Sequence, residues 1–527
     1  MNFFKQLGWL SKLIIVVILV SVISYFGWPY VQKTMSGTGG GNADLVGALN
    51  TWSGFAPIVY LNGGKDVNKN SRLTKEFDVK LKIEQMDVRQ NCIDALKEGK
   101  VDFIYTTTDI SPTENGAESD LMKLGVYQIL KIDDSRGADV IVGTRTIKNV
   151  NGLKGHKGAV AVGTASHTLL LRALETAGLT QTDVELVKVS DGIEAAKMFK
   201  SGEVDWAVVW SPDDGDCYTA VTGSHEIFST KFARNIIMDG IIVRKDVYEK
   251  KKEEFQKLAT GWLTINAETN ELVKGINPNT FVDELVKLDA GKSNSLPPMF
   301  DSIATAFSKA FNAPKFVVAD GMYKVRYSTY GDNLNFFGLN SSFNGVTGNE
   351  LYTKMTRSYS QVGLAKNPSP WSQVSNFDLV QSITTLKGGI HNAEGEVVFS
   401  APTAEDVTAE ASSVRSVSIE FPTGSSVLTD EAMEIIDKDI MPIAKAVAGG
   451  SKIRLEGNTD YTGSKQLNMT LSQQRAQSVA NYMIKNGINK SYIVAVIGNG
   501  PNNPVCNETT PECLARNRRT EFQLINR

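Results

Sequence analysis

The stretch Leu455–Arg475, LEGNTDYTGSKQLNMTLSQQR, holds the residues whose types and spacing most directly specify a chemistry. A short apolar strand bearing Ile453 and Leu455 runs into the turn-forming Gly457-Asn458-Thr459-Asp460, which leaves a carboxylate at a strand end. The pattern then predicts a helix from near Asn468, with Leu471, Ala476 and Val479 on one face and Arg475 on another. Asp460 and Arg475 are thereby brought close. A carboxylate beside a guanidinium suits a zwitterionic amino-acid head group: the carboxylate takes the ammonium, and the guanidinium fork takes the ligand's carboxylate. The same two residues would serve as a structural ion pair, and their spacing alone leaves both readings open.

The surrounding segments are informative. SIEFPTGSSVLTDEAMEIID, NTDYTG, the series Asn468, Leu471, Ser472, Arg475 and Ala476, then Gly498-x-Gly500 and Asn517-Arg518-Arg519 follow one another in a fixed order. With these, Val417 to Ile525 resembles the OmpA-like peptidoglycan-binding domain. The resemblance implies an α/β domain that binds the diaminopimelate side chain of wall peptides through Asp460, Asn468, Arg475 and Arg518. Asn458 stands where that family usually has a histidine, and Pro422 and Gly424 stand where its opening loop commonly has Asp and Asn.

A chain of 527 residues exceeds one core and predicts two or three domains. A formal net charge of −3 with no basic face argues against a nucleic-acid partner. Of four cysteines, Cys506 and Cys513 bracket the turn-rich NETTPE, close enough in sequence to be bridged, and the OmpA-like resemblance implies such a pair there. A disulfide is expected, and with it an oxidising compartment. Cys92 and Cys217 read as buried thiols, with a bridge between them left open.

Residues 1–12 are short and basic and read as a cytoplasmic N-terminus. Leu13–Val31 is an almost unbroken apolar run of bilayer length that ends in YFGWPY, bulky residues where a cleavage site needs small ones. The expectation is an uncleaved transmembrane helix, single-pass in the inner membrane, with the bulk of the chain in the periplasm. Flagellar-motor stator proteins also join a membrane helix to an OmpA-like domain, but no Asp or Glu lies between Leu13 and Val31, so ion conduction has no titrating group here. Residues 32–44, with GTGGG, read as a flexible tether.

Between 45 and 383, apolar runs such as VDFIYTT, ADVIVGT, GAVAVG and VDWAVVW alternate with helical ones such as HTLLLRALETAG, which predicts α/β layers. DALKEGKVDFIYTTTD (94–109) is echoed by AAKMFKSGEVDWAVVWSPD (195–213), and the echo predicts two similar lobes. Ligands sit off the carboxyl ends of such strands, so Tyr105-Thr106-Thr107 and Trp210-Ser211-Pro212 would face one cleft. Asp102 and Asp205, matched in the two copies, read as structural turn residues. Gly163–Thr168 joins a strand to a helix, where its hydroxyls and free N–H groups either hold an anion or carbonyl or simply cap the helix. Trp52 and Trp210 read either as ligand walls or as core.

With NTWSGFAP, the 136–179 segment, FKSGEVDWAVVWSPD and YGDNLNFFG, this region resembles periplasmic solute-binding proteins of the nitrate, sulfonate and taurine class. The resemblance implies a two-lobed periplasmic-binding-protein fold with a cleft lined by Trp52, Ser53, Gly54, Tyr105, Thr106, Thr164, Ser166, His167, Trp210 and Asp239. Residues 384–414 read as a polar linker with a short strand at 396–399, and 415–527 as the OmpA-like domain.

The histidines His156, His167, His225 and His391 are scattered, and neither HExxH nor Cys-x-x-Cys occurs, so no metal or other cofactor is expected. The Gly-x-Ser-x-Gly signature of many hydrolases is also missing. The reading is a non-enzymatic envelope protein that binds a small solute and peptidoglycan, with a membrane permease or another envelope protein as a possible further partner. The alternative is an envelope scaffold or sensor whose two-lobed domain docks a protein or signals occupancy.

Overall fold

In the computed structural model, residues 42–386, 388–419, 421–422 and 424–526 are described. Strands β1 (Leu45–Leu49), β2 (Leu81–Gln85), β3 (Phe103–Thr107) and β4 (Val126–Ser135) open the first lobe. The second is built from β5 (Asp139–Gly143), β6 (Lys157–Ala161), β7 (Glu185–Val189), β8 (Trp206–Trp210) and β9 (His225–Ser229). Strands β10 (Met238–Arg244) and β11 (Val325–Tyr327) then return to the first. The two sheets, β11-β4-β10-β3-β1-β2 and β7-β6-β8-β5-β9, repeat one motif. β1 lies parallel to β2 and β3 as β6 does to β7 and β8, and β3 and β8 each meet an antiparallel neighbour, β10 or β5.

The echoed segments fall on β3 and β8. Each strand follows a helix, Arg89–Lys97 or Gly192–Lys200, and a glycine in left-handed backbone, Gly99 or Gly202. Asp102 Oδ2 accepts from Val46 N at 2.8 Å and Asp205 Oδ2 from Lys157 N at 3.2 Å, so each aspartate clasps the neighbouring parallel strand. β5 is buried along its whole length and β8 nearly so, as strands covered on both faces require, whereas no residue of the edge strand β7 is buried.

A third sheet, β12-β15-β13-β14, comprises β12 (Ser413–Val417), β13 (Lys452–Asn458), β14 (Ile493–Gly500) and β15 (Thr520–Ile525). The helix Lys465–Lys485 packs on β13 and β14. Two glycines permit this: a Cβ on Gly457 or Gly498 would stand 2.3 Å from the helix backbone at Ser472 O or Gln473 N.

This C-terminal domain shares a core with the second lobe. Ile141, Leu170 and Ile236 belong to one continuous apolar cluster with Ile440, Ile443 and Val447. Asn151 Nδ2 donates to Val414 O at 2.9 Å while its Oδ1 accepts from Val414 N at 2.8 Å. Arg415 Nη1 donates to Glu175 O at 2.8 Å. The residues read as a linker run as a strap along this junction: Glu394 pairs with Arg136 at 2.8 Å, and its N donates to Asp332 Oδ1 at 2.7 Å. The short strand expected at 396–399 does not form. The chain there meets side chains in place of a sheet edge, with Phe399 N donating to Ser491 Oγ at 3.2 Å and the Phe399 ring edge-on to Tyr492.

At Gly450 an added Cβ would stand 2.5 Å from Phe232 O of the second lobe. Gly450→Val is therefore expected to destabilise the chain by about 1–3 kcal/mol and to separate the unfolding of the second lobe from that of the C-terminal domain. Scanning calorimetry checks this, and an unchanged trace would contradict the tight junction.

The inner-membrane, single-pass placement is corrected: among the described residues no helix is long and apolar enough to cross a membrane. Residues 1–12, the Leu13–Val31 run on which that placement rested, and most of the 32–44 tether lie outside the described residues.

Candidate functional site

Two groups of polar side chains stand at strand ends, one in the C-terminal domain and one between the lobes. In the first, β13 leads into Asn458-Thr459-Asp460, and the helix Lys465–Lys485 begins behind Ser464, whose side chain accepts from Leu467 N. Asp460 is buried. Its Oδ1 accepts from Thr462 N at 2.9 Å and from the Thr462 hydroxyl, and its Oδ2 accepts from Arg518 Nη1 at 2.7 Å. Burial alone would raise this carboxyl, but the Thr462 hydroxyl and Arg518 outweigh it and hold Asp460 below its ordinary value. Asn468 Nδ2 donates to Asp460 O at 3.2 Å and Thr462 O at 2.9 Å, closing the loop from the helix side.

The direct partner of Asp460 is thus Arg518 and not Arg475. Arg475 Nε donates to Ser425 O at 3.1 Å, and its guanidinium lies over the Phe421 ring at 5.0 Å. Asp460 and Arg518 still act on its charge at longer range. The Arg518 side chain is 48% exposed against 7% for Asp460, which leaves the guanidinium at the rim and the carboxylate at the floor. Sequence reasoning missed Thr462, although a threonine two residues after an aspartate in a turn is a recognisable Asx-type signal. The Cys506–Cys513 disulfide is present. It constrains the loop before the helix Pro511–Asn517, where Asn517 Oδ1 accepts from Val505 N at 2.8 Å and Nδ2 donates to Cys506 O at 2.9 Å. Arg518 follows directly, so the bridge sits on the element that positions it.

Between the lobes, the residues read as a cleft divide into several groups. Trp52 Nε1 donates to Asp133 Oδ1 at 3.3 Å; Gly54 lies against Asp133 Oδ2; the Ser53 carbonyl accepts from Tyr327 Oη at 3.4 Å. Asp239 is the cross-strand partner of both Asp133 and Thr107, and its Oδ1 accepts from Thr107 Oγ1 at 3.2 Å. In the second lobe, Ser166 Oγ accepts from Trp210 Nε1 at 2.9 Å. Thr164 Oγ1 donates to Ala161 O, so its hydroxyl does not cap the helix Ala165–Thr176. His167 turns inward, its Nδ1 accepting from Gly163 N and its Nε2 bonded to Gln181 at 2.6 Å, and burial pushes its pKa down. Thr106 bonds Ser111 inside the first lobe, and Tyr105 lies under the Arg89 guanidinium.

Sequence reasoning missed Asp109, Asp133 and Asp139, although TTTD (106–109) and KIDDS (131–135) both place carboxylates at strand ends. Asp133 and Asp239 face each other across β4 and β10; burial pushes Asp133 up to about 7 against the opposing pull of Asp239 and Trp52, and burial with Asp133 opposite holds Asp239 well above the carboxylate range. Asp139 starts β5 at the crossing between lobes, accepts from Ser135 Oγ at 2.7 Å, and is raised by burial to about 6. A cavity of about 400 Å³ lies elsewhere, among Lys131, Arg136, Arg234, Glu394 and Tyr492, where first lobe, strap and C-terminal domain meet.

These features define a protein with a periplasmic-binding-protein-like α/β fold joined to an OmpA-type domain. A family model described as OmpA family matches residues 420–518, and one described as NMT1/THI5 like matches 75–262. Outer membrane protein A of Bordetella avium is 32% identical over 137 residues, 26% of this chain and 69% of that protein. A candidate aliphatic sulfonates-binding protein of Escherichia coli (strain K12) is 37% identical over 123 residues, 23% of this chain and 36% of that protein. The crystal structure of the periplasmic aliphatic sulphonate binding protein SsuA from Escherichia coli aligns with a TM-score of 0.46 at 18% identity, covering 64% of this chain and 99% of that one. The chain belongs, through its C-terminal region, to the OmpA family, and the region ahead of it is similar to the NMT1/THI5-like family over residues 75–262.

Proposed function

We propose that this is an envelope protein whose C-terminal domain grips the diaminopimelate-bearing peptides of peptidoglycan while its two lobes close on a small solute, with binding and not catalysis as its activity. The observation that carries the wall-binding half is the Asp460 arrangement: a buried carboxylate at the floor, a half-exposed Arg518 at the rim, and Arg475 at longer range. That geometry offers an anion to an ammonium and a fork to a carboxylate within one small site. For the solute half, two lobes of one topology joined by crossing strands allow hinge closure around a ligand. The relatives named for aliphatic sulfonates make small sulfonates the natural first members of a ligand panel.

A sensor reading is favoured by the shared core between the second lobe and the C-terminal domain. A body that is rigid across that junction would convey lobe closure to the wall-binding surface.

The test has two arms on the full-length protein. It is expected to co-sediment with purified sacculi, and native mass spectrometry is expected to show a bound small molecule that a denaturing spectrum lacks. Absence from the pellet would reject the wall-binding half. An apo mass together with no thermal shift across a broad metabolite panel would reject the solute half.

A further inference from the structure

We propose that the cleft between the lobes selects a cationic, ammonium-bearing solute, held by Asp109, Asp133, Asp139 and Asp239. This deepens the solute-binding reading above and rests on it. Four carboxylates converge where the strands cross between lobes. Asp133 and Asp239 are cross-strand neighbours, Asp139 begins β5, and Asp109 stands two residues past the end of β3.

The independent observation is at Asp109. Its side chain is 0% exposed, and neither carboxylate oxygen has a hydrogen-bond partner. The adjacent Thr168 hydroxyl, on the helix Ala165–Thr176 of the other lobe, is bonded to Tyr359 Oη at 2.7 Å and also eases Asp109, the one side chain near it that favours its ionised form. The charged groups that bear most on Asp109 are Asp239 and Asp139, both of its own sign. Asp133 Oδ2 is likewise buried without a partner. Lys131 reaches Asp133 only at long range, its Nζ being committed to Asp134 at 2.7 Å.

Buried polar groups are ordinarily satisfied, and unpaired oxygens on buried carboxylates are costly. An ammonium between the lobes would satisfy them, and Trp52, tied to Asp133, brings an indole to the same place for a cation to rest against. Among the described residues no group of three or more His, Cys, Asp or Glu is arranged to hold a metal ion, so the cation is an organic one. A sulfonate, by contrast, would oppose ionisation of these carboxyls and satisfy none of their oxygens.

The experiment measures the melting temperature of the full-length protein with ethanolamine, choline and putrescine, and in parallel with ethanesulfonate and taurine. At least one amine is expected to raise it, and ethanesulfonate to leave it unchanged. Asp109→Asn and Asp239→Asn should each weaken the amine response on the order of 100-fold. Each variant removes a buried charge of like sign to its neighbours, so folding should persist, and retained sacculus binding confirms it. Stabilisation by ethanesulfonate with no amine response would overturn the cationic assignment while leaving solute binding intact. An undiminished amine response in both variants, or no response to any amine, would also overturn it.

Discussion

Asp460→Ala is expected to release the protein from isolated sacculi, weakening retention on the order of 100-fold. The carboxylate has two jobs that end together. It is the buried anion available to a ligand ammonium, and it fixes Arg518 through a 2.7 Å charge-assisted bond. Without it the Arg518 fork, already half exposed, loses its anchor. The loop itself should survive, because Asn468 Nδ2 holds the Asp460 and Thr462 carbonyls and not the carboxylate. The carboxylate also accepts from Thr462 N and the Thr462 hydroxyl, so loss of binding should come with a stability loss of about 1–3 kcal/mol but not with unfolding. Arg475→Ala should act differently: that guanidinium is held by Ser425 O and lies over Phe421, so its removal loosens the opening loop as well as removing a charge. Arg518→Lys keeps the charge but not the fork, and intermediate retention is expected. Co-sedimentation with sacculi at fixed salt ranks the variants, and wild-type retention by Asp460→Ala would remove the wall-binding site from this strand end.

The lobes and the strand end that carries Asp460 were legible because their signals are local. The Val-Asp-strand echo, the left-handed glycine stops and the apolar runs of β5 and β8 each report burial within a few residues of themselves. The Cys506–Cys513 bridge was legible for the same reason, spanning a sequence separation of 7. Partners chosen at long range were not. Arg475 and Arg518 both belonged to the motif, but only the direction of the chain leaving the helix Pro511–Asn517 decides which one reaches Asp460. Asp133 meets Asp239 through strand pairing across an entire lobe inserted between them, and no periodicity encodes that. Residues 384–414 read as a linker because the strap is held by isolated side-chain contacts, such as Glu394 to Arg136 and Phe399 to Tyr492, which leave no repeating pattern in sequence. The single-pass inner-membrane placement leaned on Leu13–Val31, and no helix among the described residues supplies a span.

Stability of the ligand-free protein should fall as pH rises from about 5 to about 8. The sign follows from carboxyls whose folded pKa lies above the unfolded value. The folded state holds their protons more tightly, so their contribution is undiminished below the unfolded pKa and is lost as pH climbs through the folded one. Asp139, raised to about 6 by burial and eased by Ser135, accounts for ~3 kcal/mol. Asp133, at about 7, extends the window upward, and because Asp133 and Asp239 face each other the observed titration belongs to the pair. At Asp133 the rise from burial is added to by Asp134 and opposed by Asp239, Trp52 and Lys131; at Asp239 it is added to by Asp133 and Asp139 and opposed by the Thr107 hydroxyl. His167 pulls the other way, since burial lowers its pKa and folding then improves as pH rises, but that gain is complete once pH exceeds its unfolded value of about 6.5. Asp332, Glu394 and Asp460 are held low by their partners despite burial, and lose their contribution only on acidification below this range. Above pH 6.5 the raised carboxyls therefore act alone in sign, and a melting temperature lower by about 5–10 °C at pH 8 than at pH 5 is expected. Asp139→Asn should flatten the profile by removing one of the raised carboxyls. A profile that rises towards pH 8 in the wild type would mean that these four carboxyls are paired with cations in solution, and the cleft would then be neutral to a charged ligand.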